Sequence, residues 1–382
     1  MKRLAIVASH VIQYQDPFFR LLAKEPGIEL TVIYCSSAGA ETYRDEDMKT
    51  TLRWDIDLLQ GYRHVTLHNF GFGDGYTRLI NPGIAPAIVR GRYDAVIFML
   101  GWGSLTALLG IAACRISQTP FFLYGDSSFP PPETSFRAKL RAAFIRAVFR
   151  LASGFMTSGV LNAEYYRHYG GDPKTFFLLP WAVDNERFER ASRMTAAERD
   201  ELRTRYGIDR DRVIFLFSAK LVPRKDPLTL VHAYNRMRHR DRAAVVFMGD
   251  GELRPRIEES ASEGIHLIGF VNQADIPRHY AMCDVFVLPS LYEPRGAVIN
   301  EAMACGLPVI VTDACGSIGD IVLEGENAFI YPAGDADVLA REMDLLTSDD
   351  ALRERMALRS REIIATWDFA RGVEGVKAML NR

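Results

Sequence analysis

Two glutamates, Glu293 and Glu301, bracket a short segment between two apolar runs of the sequence. The run at residues 285–289 predicts a buried strand, so Glu293 is expected on the loop that follows it and Glu301 on the next helix. The start of a helix collects unpaired N–H groups and the positive end of the helix dipole, which together can bind a phosphate. A carboxylate on either side could hold hydroxyl groups, and this is the layout of a sugar nucleotide.

Three cations occupy a second loop, in the sequence SAKLVPRKDP at residues 218–227. They are Lys220, Arg224 and Lys225. The loop follows a predicted strand, and the pair Asp226-Pro227 predicts the start of a helix. Cations at such a position, together with helix N–H groups, would neutralise a diphosphate leaving group. The alternative is a solvated surface loop.

The bulk composition is that of a globular protein with room for two domains. The chain has 382 residues and a net charge of −2, which argues against a nucleic-acid partner because no basic field would attract one. Its five cysteines are odd in number and form no CxxC pair, so we expect buried free thiols in a reducing cytosol. The N-terminus turns polar too soon for a signal peptide, and no apolar stretch reaches the length of a membrane span.

Strands and helices alternate in two series along the chain, which predicts two parallel sheets covered by helices. The apolar runs that predict strands lie at residues 4–8, 29–35, 95–100, 120–124 and 154–157, and then at residues 213–217, 243–248, 265–268, 285–288, 309–312 and 328–331. A charged stretch at residues 185–211 separates the two series and is typical of a linker with short helices. We therefore predict an α/β protein with two doubly wound, Rossmann-like domains and a ligand cleft between them, at the carboxyl ends of their strands.

Four stretches of the sequence together resemble one enzyme family. They are SAKLVPRKDP at residues 218–227, GDGELRPRIE at residues 249–258, the stretch from HLIGFVNQ to GLPVIVTD at residues 266–313, and LLPWAVDNERF at residues 178–188. In combination they are similar to the retaining glycosyltransferases of family 4 (group 1), which have the GT-B fold. The similarity covers residues 150–345 well and rests mainly on topology in the N-terminal half.

The resemblance implies a domain division and an activity. Residues 1–185 would form an acceptor-binding domain, residues 186–360 a donor domain, and residues 361–382 a helix that returns to the N-terminal domain. The activity would be transfer of a sugar, with retention, from a nucleotide-diphosphate sugar to a saccharide or lipid-linked acceptor in cell-surface polysaccharide or glycolipid assembly. No metal ion and no cofactor would be required. The expected location is the cytoplasm, or the periphery of the inner face of the membrane.

The resemblance also assigns roles to individual residues. In the family the first glutamate of the pair contacts the donor sugar and the second holds the ribose hydroxyls, and these match Glu293 and Glu301. Lys220 and Lys225 match the cations of the phosphate loop, so with Glu293 they are the expected catalytic residues. Further donor contacts are implied for Arg224, for the backbone of Arg295, Gly296 and Ala297 at the sugar and phosphates, and for Gly269, Phe270 and Val271 at the base.

Two donor-side residues depart from the family pattern. Lys220 stands where the family has arginine, and a lysine lacks the bidentate fork of a guanidinium. Arg295 stands where phenylalanine is common. A cation added next to the donor could bind an acidic sugar or a phosphate.

The acceptor side offers four candidates with weaker support. His10 and Gln13 stand where the family has a Gly-Gly pair, and His10 could contact a ligand or lie on the surface. Asp126 follows a glycine where the family often has a histidine, and it could bind a sugar hydroxyl or cap a turn. Trp102 could stack on an acceptor sugar or belong to the core.

A basic helix is predicted at residues 135–153. Its cations are Arg137, Lys139, Arg141, Arg146 and Arg150, and the apolar residues Phe136, Leu140, Phe144 and Val148 recur every four positions. The cations could dock on an anionic membrane surface near a lipid-linked acceptor, or simply face water. We expect the apolar stripe to pack on the sheet of the N-terminal domain, and the two roles are compatible.

Other functions stay open on the sequence alone. An epimerase or a phosphorylase could share the two-domain fold, although no pyridoxal lysine or dedicated phosphate site is evident. A non-catalytic protein could bind a sugar nucleotide without needing Glu293. A dehydrogenase is less well supported because no glycine-rich fingerprint follows the first strand. The sequence does not determine the nucleotide base, the donor sugar or the acceptor.

Overall fold

The computed structural model describes residues 1–40, 43–45, 50–52, 54–71 and 78–382. Its strands are β1 (Lys2–Ala8), β2 (Ile28–Tyr34), β3 (Tyr43–Asp45), β4 (Thr50–Leu52), β5 (Arg63–Thr66), β6 (Ala95–Met99), β7 (Phe121–Tyr124), β8 (Gly154–Thr157), β9 (Phe176–Leu178), β10 (Val213–Ser218), β11 (Ala243–Met248), β12 (Ile265–Gly269), β13 (Val285–Leu288), β14 (Val309–Thr312) and β15 (Ala328–Tyr331). Its helices are α1 (Asp16–Ala23), α2 (Ile84–Gly91), α3 (Leu105–Ile116), α4 (Phe136–Leu151), α5 (Val160–His168), α6 (Asn185–Ser192), α7 (Ala196–Arg205), α8 (Pro227–Arg236), α9 (Arg254–Ser260), α10 (Ile276–Ala281), α11 (Ala297–Ala304), α12 (Ala336–Ser348), α13 (Asp350–Ile364) and α14 (Phe369–Leu380).

The chain divides into two compact units, each built on a parallel sheet. The first unit contains Met1–Tyr43, Asp57–Trp181 and Phe369–Arg382, and the second contains Arg44–Ile56 and Ala182–Asp368. The predicted class, two doubly wound α/β domains, is confirmed. The unit boundaries differ from the predicted domain limits, because the second unit begins at Ala182 and also takes up Arg44–Ile56.

In the first unit the described strands form a seven-stranded sheet in the order β5-β2-β1-β6-β7-β8-β9. The inner strands are buried on both faces, which is why their sequences are continuous apolar runs. The edge strands β5 and β9 escaped prediction because β5 is exposed and β9 only half-buried. Helix α14 packs on this unit, where Gly372 leaves room for Leu179 and Phe18.

In the second unit the order is β12-β11-β10-β13-β14-β15, and every pair is parallel. Strands β11, β14 and β15 have the bounds that the apolar runs predict. The charged stretch expected to be a linker forms α6 and α7, which belong to this unit, and α6 packs against α10 and α11.

Each sheet has a switch point, where the winding direction of the chain reverses. It lies between β1 and β6 in the first unit and between β10 and β13 in the second. The loops after such strands diverge and leave a crevice at the carboxyl ends of the strands. In the second unit these are the loops that carry Lys225 and Glu293.

Helix α4 turns a different face to the protein from the one predicted. Its buried residues are Ala142, Ile145, Val148 and Phe149, whereas Phe136, Leu140 and Phe144 are 81%, 62% and 40% exposed. The expectation that the whole stripe packs on the sheet is therefore wrong. A spacing of four residues advances about 40° beyond a full turn, so Phe136 and Val148 face directions about 120° apart. No helix among the described residues is both long and apolar enough to cross a bilayer.

Candidate functional site

The ammonium group of Lys225 donates a hydrogen bond to Glu293 Oε2 in the second unit. Lys225 ends the 3-10 turn Pro223–Lys225 after β10, and Glu293 lies on the loop after β13. The two loops meet because β10 and β13 are the neighbouring strands of the switch point. The structure therefore brings two of the three predicted catalytic residues into direct contact.

Lys225 can still donate hydrogen bonds to a ligand although it is paired with Glu293. Both side chains are mostly buried, so solvent and salt screen their charges little. An ammonium group has three N–H donors, and the hydrogen bond to Glu293 uses one of them. An anion at the same place could share Lys225 with Glu293, which would hold the anion next to the carboxylate.

Backbone hydrogen bonds fix the loop that carries Glu293. The N–H group of Glu293 donates to the carbonyl of Ala314 (3.0 Å), and the N–H group of Gly316 donates to the carbonyl of Glu293 (2.8 Å). The hydroxyl of Ser317 donates to the carbonyl of Arg295. The carboxylate of Glu293 thus projects from a backbone held on both sides.

The side chain of Arg295 lies inside the second unit. Its Nη1 donates to the carbonyl of Gly316 (2.7 Å) and to Asp320 Oδ2 (2.8 Å). The side chains of Arg295 and Asp320 are 2% and 3% exposed. The interpretation of Arg295 as a cation presented to an acidic sugar or a phosphate is therefore wrong, because Asp320 neutralises it. The implied contact of its backbone with the donor stays a prediction.

Gly296 and Ala297 form the start of α11, next to Glu293. Gly296 caps the helix in the left-handed region, with φ at 74°. A Cβ at this position would lie 3.0 Å from Ile299 Cδ1 and 3.2 Å from Glu293 Cγ. A helix leaves its first N–H groups without partners inside the helix, so this start is suited to an anion. Glycine lets the turn form without displacing Glu293.

Glu301 lies in the second turn of α11 and is half-buried. Tyr280 Oη donates to its Oε2 over 2.9 Å. Burial raises the pKa of Glu301 from its ordinary 4.5 to about 7, although the Tyr280 hydroxyl and the charge of Arg187 act in the opposite direction. Near neutral pH Glu301 can therefore accept hydrogen bonds as a carboxylate or donate one as an acid, and either form can bind sugar hydroxyls.

The two other cations of the phosphate loop are placed differently. Lys220 is half-buried, and the side chain of Arg224 is exposed. The carbonyl of Arg224 accepts the N–H group of Leu291 over 3.0 Å, which fastens this loop to the loop of Glu293. All three cations thus lie on one loop at the switch point, and Lys225 is the one in contact with Glu293.

The loops after β10, β11 and β12 are joined through their backbones. Gly249 N–H donates to the carbonyl of Gly269 (2.8 Å), and Leu221 N–H donates to that of Asp250 (2.9 Å). A Cβ on Gly249 would lie 2.1 Å from the carbonyl oxygen of Ala219, so close packing of loops explains this glycine. Among the implied base contacts, Gly269 ends β12, Phe270 is exposed and Val271 is half-buried.

The first unit contains a cavity of about 530 Å³ at the carboxyl ends of β1, β6 and β7. It is lined by Ser9, Ile12, Gln15, Met99, Leu100, Gly101, Trp102, Gly103, Tyr124, Gly125, Asp126, Ser127, Arg141, Phe144, Ile145, Tyr165 and Trp181. The rings of Tyr124 and Trp181 are stacked, with centroids 6.2 Å apart and planes 14° apart. An aromatic lining with an aspartate and an arginine suits a polar molecule with apolar faces, such as a sugar.

Two of the four acceptor-side candidates line this cavity. Asp126 does so from the loop after β7, and Trp102 from the loop after β6, where its ring also packs edge-on against Phe149 with centroids 5.4 Å apart. Trp102 therefore packs on the core and also lines the cavity, while its stacking on an acceptor sugar stays a prediction. His10 and Gln13 lie outside the lining, and His10 Nδ1 is 2.9 Å from Ser9 Oγ.

The sequence and its relatives point to one family. Residues 198–363 match the family model described as glycosyl transferases group 1. A GDP-mannose-dependent alpha-(1-6)-phosphatidylinositol monomannoside mannosyltransferase from Mycolicibacterium smegmatis is 27% identical over 354 residues, which cover 87% of this chain and 85% of that protein. The chain resembles the group 1 glycosyltransferases. A D-inositol 3-phosphate glycosyltransferase from Streptomyces bingchenggensis is 32% identical over 208 residues, or 50% of this chain and 44% of the relative. The chain spans about half the length of the first curated relatives that it matches.

Solved structures agree on the fold. The crystal structure of Anabaena HepE in complex with UDP matches with a TM-score of 0.75 and 19% identity over 100% of both chains. WaaG, a glycosyltransferase involved in lipopolysaccharide biosynthesis, matches with a TM-score of 0.68 and 17% identity over 99% of both chains. The predicted GT-B fold is confirmed by this likeness and by the parallel sheets of seven and six strands.

Several residues of both sites were missed by sequence reasoning. In the second unit these are Tyr280, Arg187 and Asp320, and in the first they are Gln15, Tyr124, Arg141 and Trp181. Tyr280, Arg187 and Trp181 lie within the stretches that carry the family resemblance, which could have drawn attention to them. Asp320 had no such signal. Among the described residues, no group of three or more His, Cys, Asp or Glu side chains is arranged to hold a metal ion.

Proposed function

We propose that the protein is a retaining glycosyltransferase that moves a sugar from a nucleotide-diphosphate sugar to a saccharide or lipid-linked acceptor. The observation that carries the proposal is the buried Lys225–Glu293 pair beside the start of α11. The resemblance to group 1 glycosyltransferases supports it. A structural neighbour binds UDP and a relative is named for GDP-mannose, so the base of the donor is left open.

The donor would bind at the switch point of the second unit. Its diphosphate would lie against Lys225, Lys220 and the first N–H groups of α11, with Arg224 nearby on the same loop. Glu301, oriented by Tyr280, would hold the ribose hydroxyls, and the loop Gly269–Phe270–Val271 would contact the base. A hydroxyl group of the sugar would bind Glu293.

Chemistry at this site would consist mainly of stabilising the leaving group. As the bond from the sugar to the diphosphate breaks, negative charge grows on the phosphate oxygens. Fixed cations and helix N–H groups oppose that charge without having to reorganise. We propose that they make a metal ion unnecessary, so transfer should continue in excess EDTA.

Glu293 would orient the sugar rather than attack it. Its carboxylate is already hydrogen-bonded to Lys225, and its backbone is fixed on both sides by Ala314 and Gly316. We therefore assign it to a sugar hydroxyl, and we propose that the acceptor attacks from the face that the diphosphate leaves. Retention of configuration at the sugar would follow.

The acceptor would bind in the cavity of the first unit. Trp102 offers an aromatic face for the C–H groups of a sugar ring, and Asp126 offers a carboxylate for its hydroxyls. Arg141 and Phe144 reach the cavity from α4. An acceptor with a charged or lipid-linked part could therefore contact the same helix.

We also propose that α4 docks on an anionic membrane surface. Its outer face combines the exposed apolar residues Phe136 and Leu140 with the exposed cations Arg137 and Lys139. Apolar side chains among cations favour an interface with anionic lipid headgroups. Arg146 is less available because it is paired with Glu133. This placement suits a peripheral enzyme that acts on glycolipid or polysaccharide precursors.

The test is a transfer assay with radiolabelled sugar nucleotides and saccharide or lipid-linked acceptors. Glu293→Gln should keep donor binding but lose most of the turnover. Lys225→Ala should weaken donor binding and lower turnover by about 100-fold or more, as expected for the loss of a group that stabilises the leaving group.

A matched control comes from another lysine–glutamate pair. Lys377 and Glu25 form an exposed ion pair in the first unit, outside both sites. Lys377→Ala and Glu25→Gln should leave transfer unchanged. Parental activity in both Glu293→Gln and Lys225→Ala would refute the proposal.

A further inference from the structure

Residues Arg44–Ile56 belong to the second unit although the chain on both sides of them belongs to the first. Two contacts hold the end of this segment on the loop after β12. The ring of Trp54 lies 6.5 Å from the ring of Phe270, at 49° between their planes. The carboxylate of Asp55 accepts the N–H group of Ala274, at 3.1 Å and 3.3 Å from its two oxygens. Together these contacts place Trp54 next to Phe270.

The loop beneath Trp54 is also connected to the donor residues of the same unit. Arg187 donates from Nη2 to Gln273 Oε1 (3.1 Å) on this loop. The charge of Arg187 also acts on Glu301, the residue assigned to the ribose. Phe270 itself follows Gly269, whose carbonyl ties β12 to the loop after β11. Phe270 therefore lies on the loop assigned to the base, and Trp54 packs against it from a distant segment.

The rings of Trp54 and Phe270 are also partly exposed to solvent. Phe270 is 39% exposed although the ring of Trp54 lies next to it, and Trp54 is half-buried. Two large rings that stay partly accessible at the carboxyl end of a strand offer flat apolar surface to a flat ligand. A nucleobase has such a surface, and stacking on aromatic side chains accepts every base because every base has a π-face.

We propose that Trp54 forms, together with Phe270, the aromatic wall on which the nucleobase of the donor packs. This inference rests on the proposed use of a nucleotide-diphosphate sugar and adds a residue from a distant part of the sequence to that site. The backbone of Gly269–Phe270–Val271 would read the edge of the base, while the rings hold its face.

The experiment compares nucleotide binding by the full chain and its variants, with UDP, GDP and ADP as probes in isothermal titration calorimetry. Trp54→Leu keeps apolar bulk but removes the ring, and Trp54→Phe restores a smaller ring. We expect Trp54→Leu to weaken the affinity for the nucleotide that the parent binds by about 5- to 150-fold, the range for one base–aromatic stack. Trp54→Phe should recover most of that loss.

Kinetic and fluorescence measurements distinguish contact of Trp54 with the nucleotide from a purely structural role of Trp54. Trp54→Leu should raise the KM for the donor while kcat at saturating donor stays near the parental value. Nucleotide should change the tryptophan emission of the parent, and the change should be smaller in Trp54→Phe. Phe70→Ala, at an exposed aromatic residue of the first unit, should alter none of these quantities.

The outcomes distinguish this inference from the proposed function. Nucleotide binding by the parent with equal affinity in Trp54→Leu would overturn the inference and leave the proposed function standing. Failure of the parent to bind any of the three nucleotides would overturn both. If Trp54→Leu does not fold, the tryptophan emission of the parent and of Trp54→Phe is compared instead. Emission that stays unchanged in both proteins when nucleotide is added would overturn the inference.

Discussion

The Arg295–Asp320 ion pair predicts a large and asymmetric response to substitution. Both side chains are almost fully buried, and Nε and Nη2 of Arg295 make no hydrogen bond to the described residues. Asp320→Asn would leave the guanidinium charge inside the protein without its counter-ion. Removing one partner of a buried pair costs about 3–5 kcal/mol of the free energy of unfolding.

The expected change in melting temperature follows from the size of the second unit. For a unit of about 200 residues, a loss of 1 kcal/mol lowers the midpoint by about 2–4 °C. Asp320→Asn should therefore lower the midpoint by about 6–20 °C. Replacing both residues by apolar ones of similar volume, in Arg295→Met with Asp320→Leu, should recover most of that loss, because no charge is then buried.

Thermal and urea unfolding of the full chain, followed by circular dichroism, would measure these differences. The double variant should also keep donor binding, since Glu293 is fixed by backbone hydrogen bonds to Ala314 and Gly316 that it does not remove. A midpoint within about 2 °C of the parent for Asp320→Asn would refute the reasoning. So would a double variant at least as unstable as Asp320→Asn.

Three further predictions concern single residues. Burial raises the pKa of Glu301 from 4.5 to about 7, so between these values the folded state holds a proton that the unfolded state has lost. The free energy of unfolding, measured in urea, should therefore fall as pH rises from about 5 to 8, and less so in Glu301→Gln; equal slopes would contradict this. Gly296→Ala should lose more stability than Gly334→Ala and should also lower transfer, because both glycines have φ near 80° but only Gly296 has atoms within 4 Å of the added Cβ. The backbone strain alone costs about 1–2 kcal/mol, so equal losses in the two variants would count against the packing argument. Leu140→Ser should reduce co-sedimentation with anionic vesicles, whereas Leu358→Ser, at a similarly exposed leucine of α13, should not. Equal and negligible binding of the parent to anionic and neutral vesicles would end the proposal for α4.

The inner strands of both sheets were predictable because burial on two faces leaves an apolar run with few alternatives. The edge strand β5 was not, since it is exposed and carries no such run. Lys225 and Glu293 could be singled out because each lies on a loop between a predicted strand and a predicted helix and each matches a family motif. The order of strands, which the sequence did not predict, brings the loops after β10 and β13 together at the switch point.

Predictions from neighbouring residues in the sequence were incomplete or wrong where the role of a side chain depends on a partner far along the chain. Asp16 is the first residue of α1, and its carboxylate accepts the N–H of Leu59 and the hydroxyl of Tyr62, two partners far along the chain that no local pattern indicates. Arg295 was expected to face the donor, but Asp320 holds it inside the protein. In α4 the four-residue stripe misled because a helix repeats every 3.6 residues, so the apolar positions drift around its axis.

The amino-acid sequence by itself determined where strands and helices alternate and that a glycine stands at the start of α11. It also determined which family its motifs are similar to. These depend on neighbours in the chain, whose geometry is nearly constant. Only the tertiary structure decided that Lys225 binds Glu293, that Tyr280 orients Glu301, and that Trp54 lies against Phe270. Such contacts join loops far apart in sequence, and their distances depend on how strands and helices pack, which no local pattern encodes.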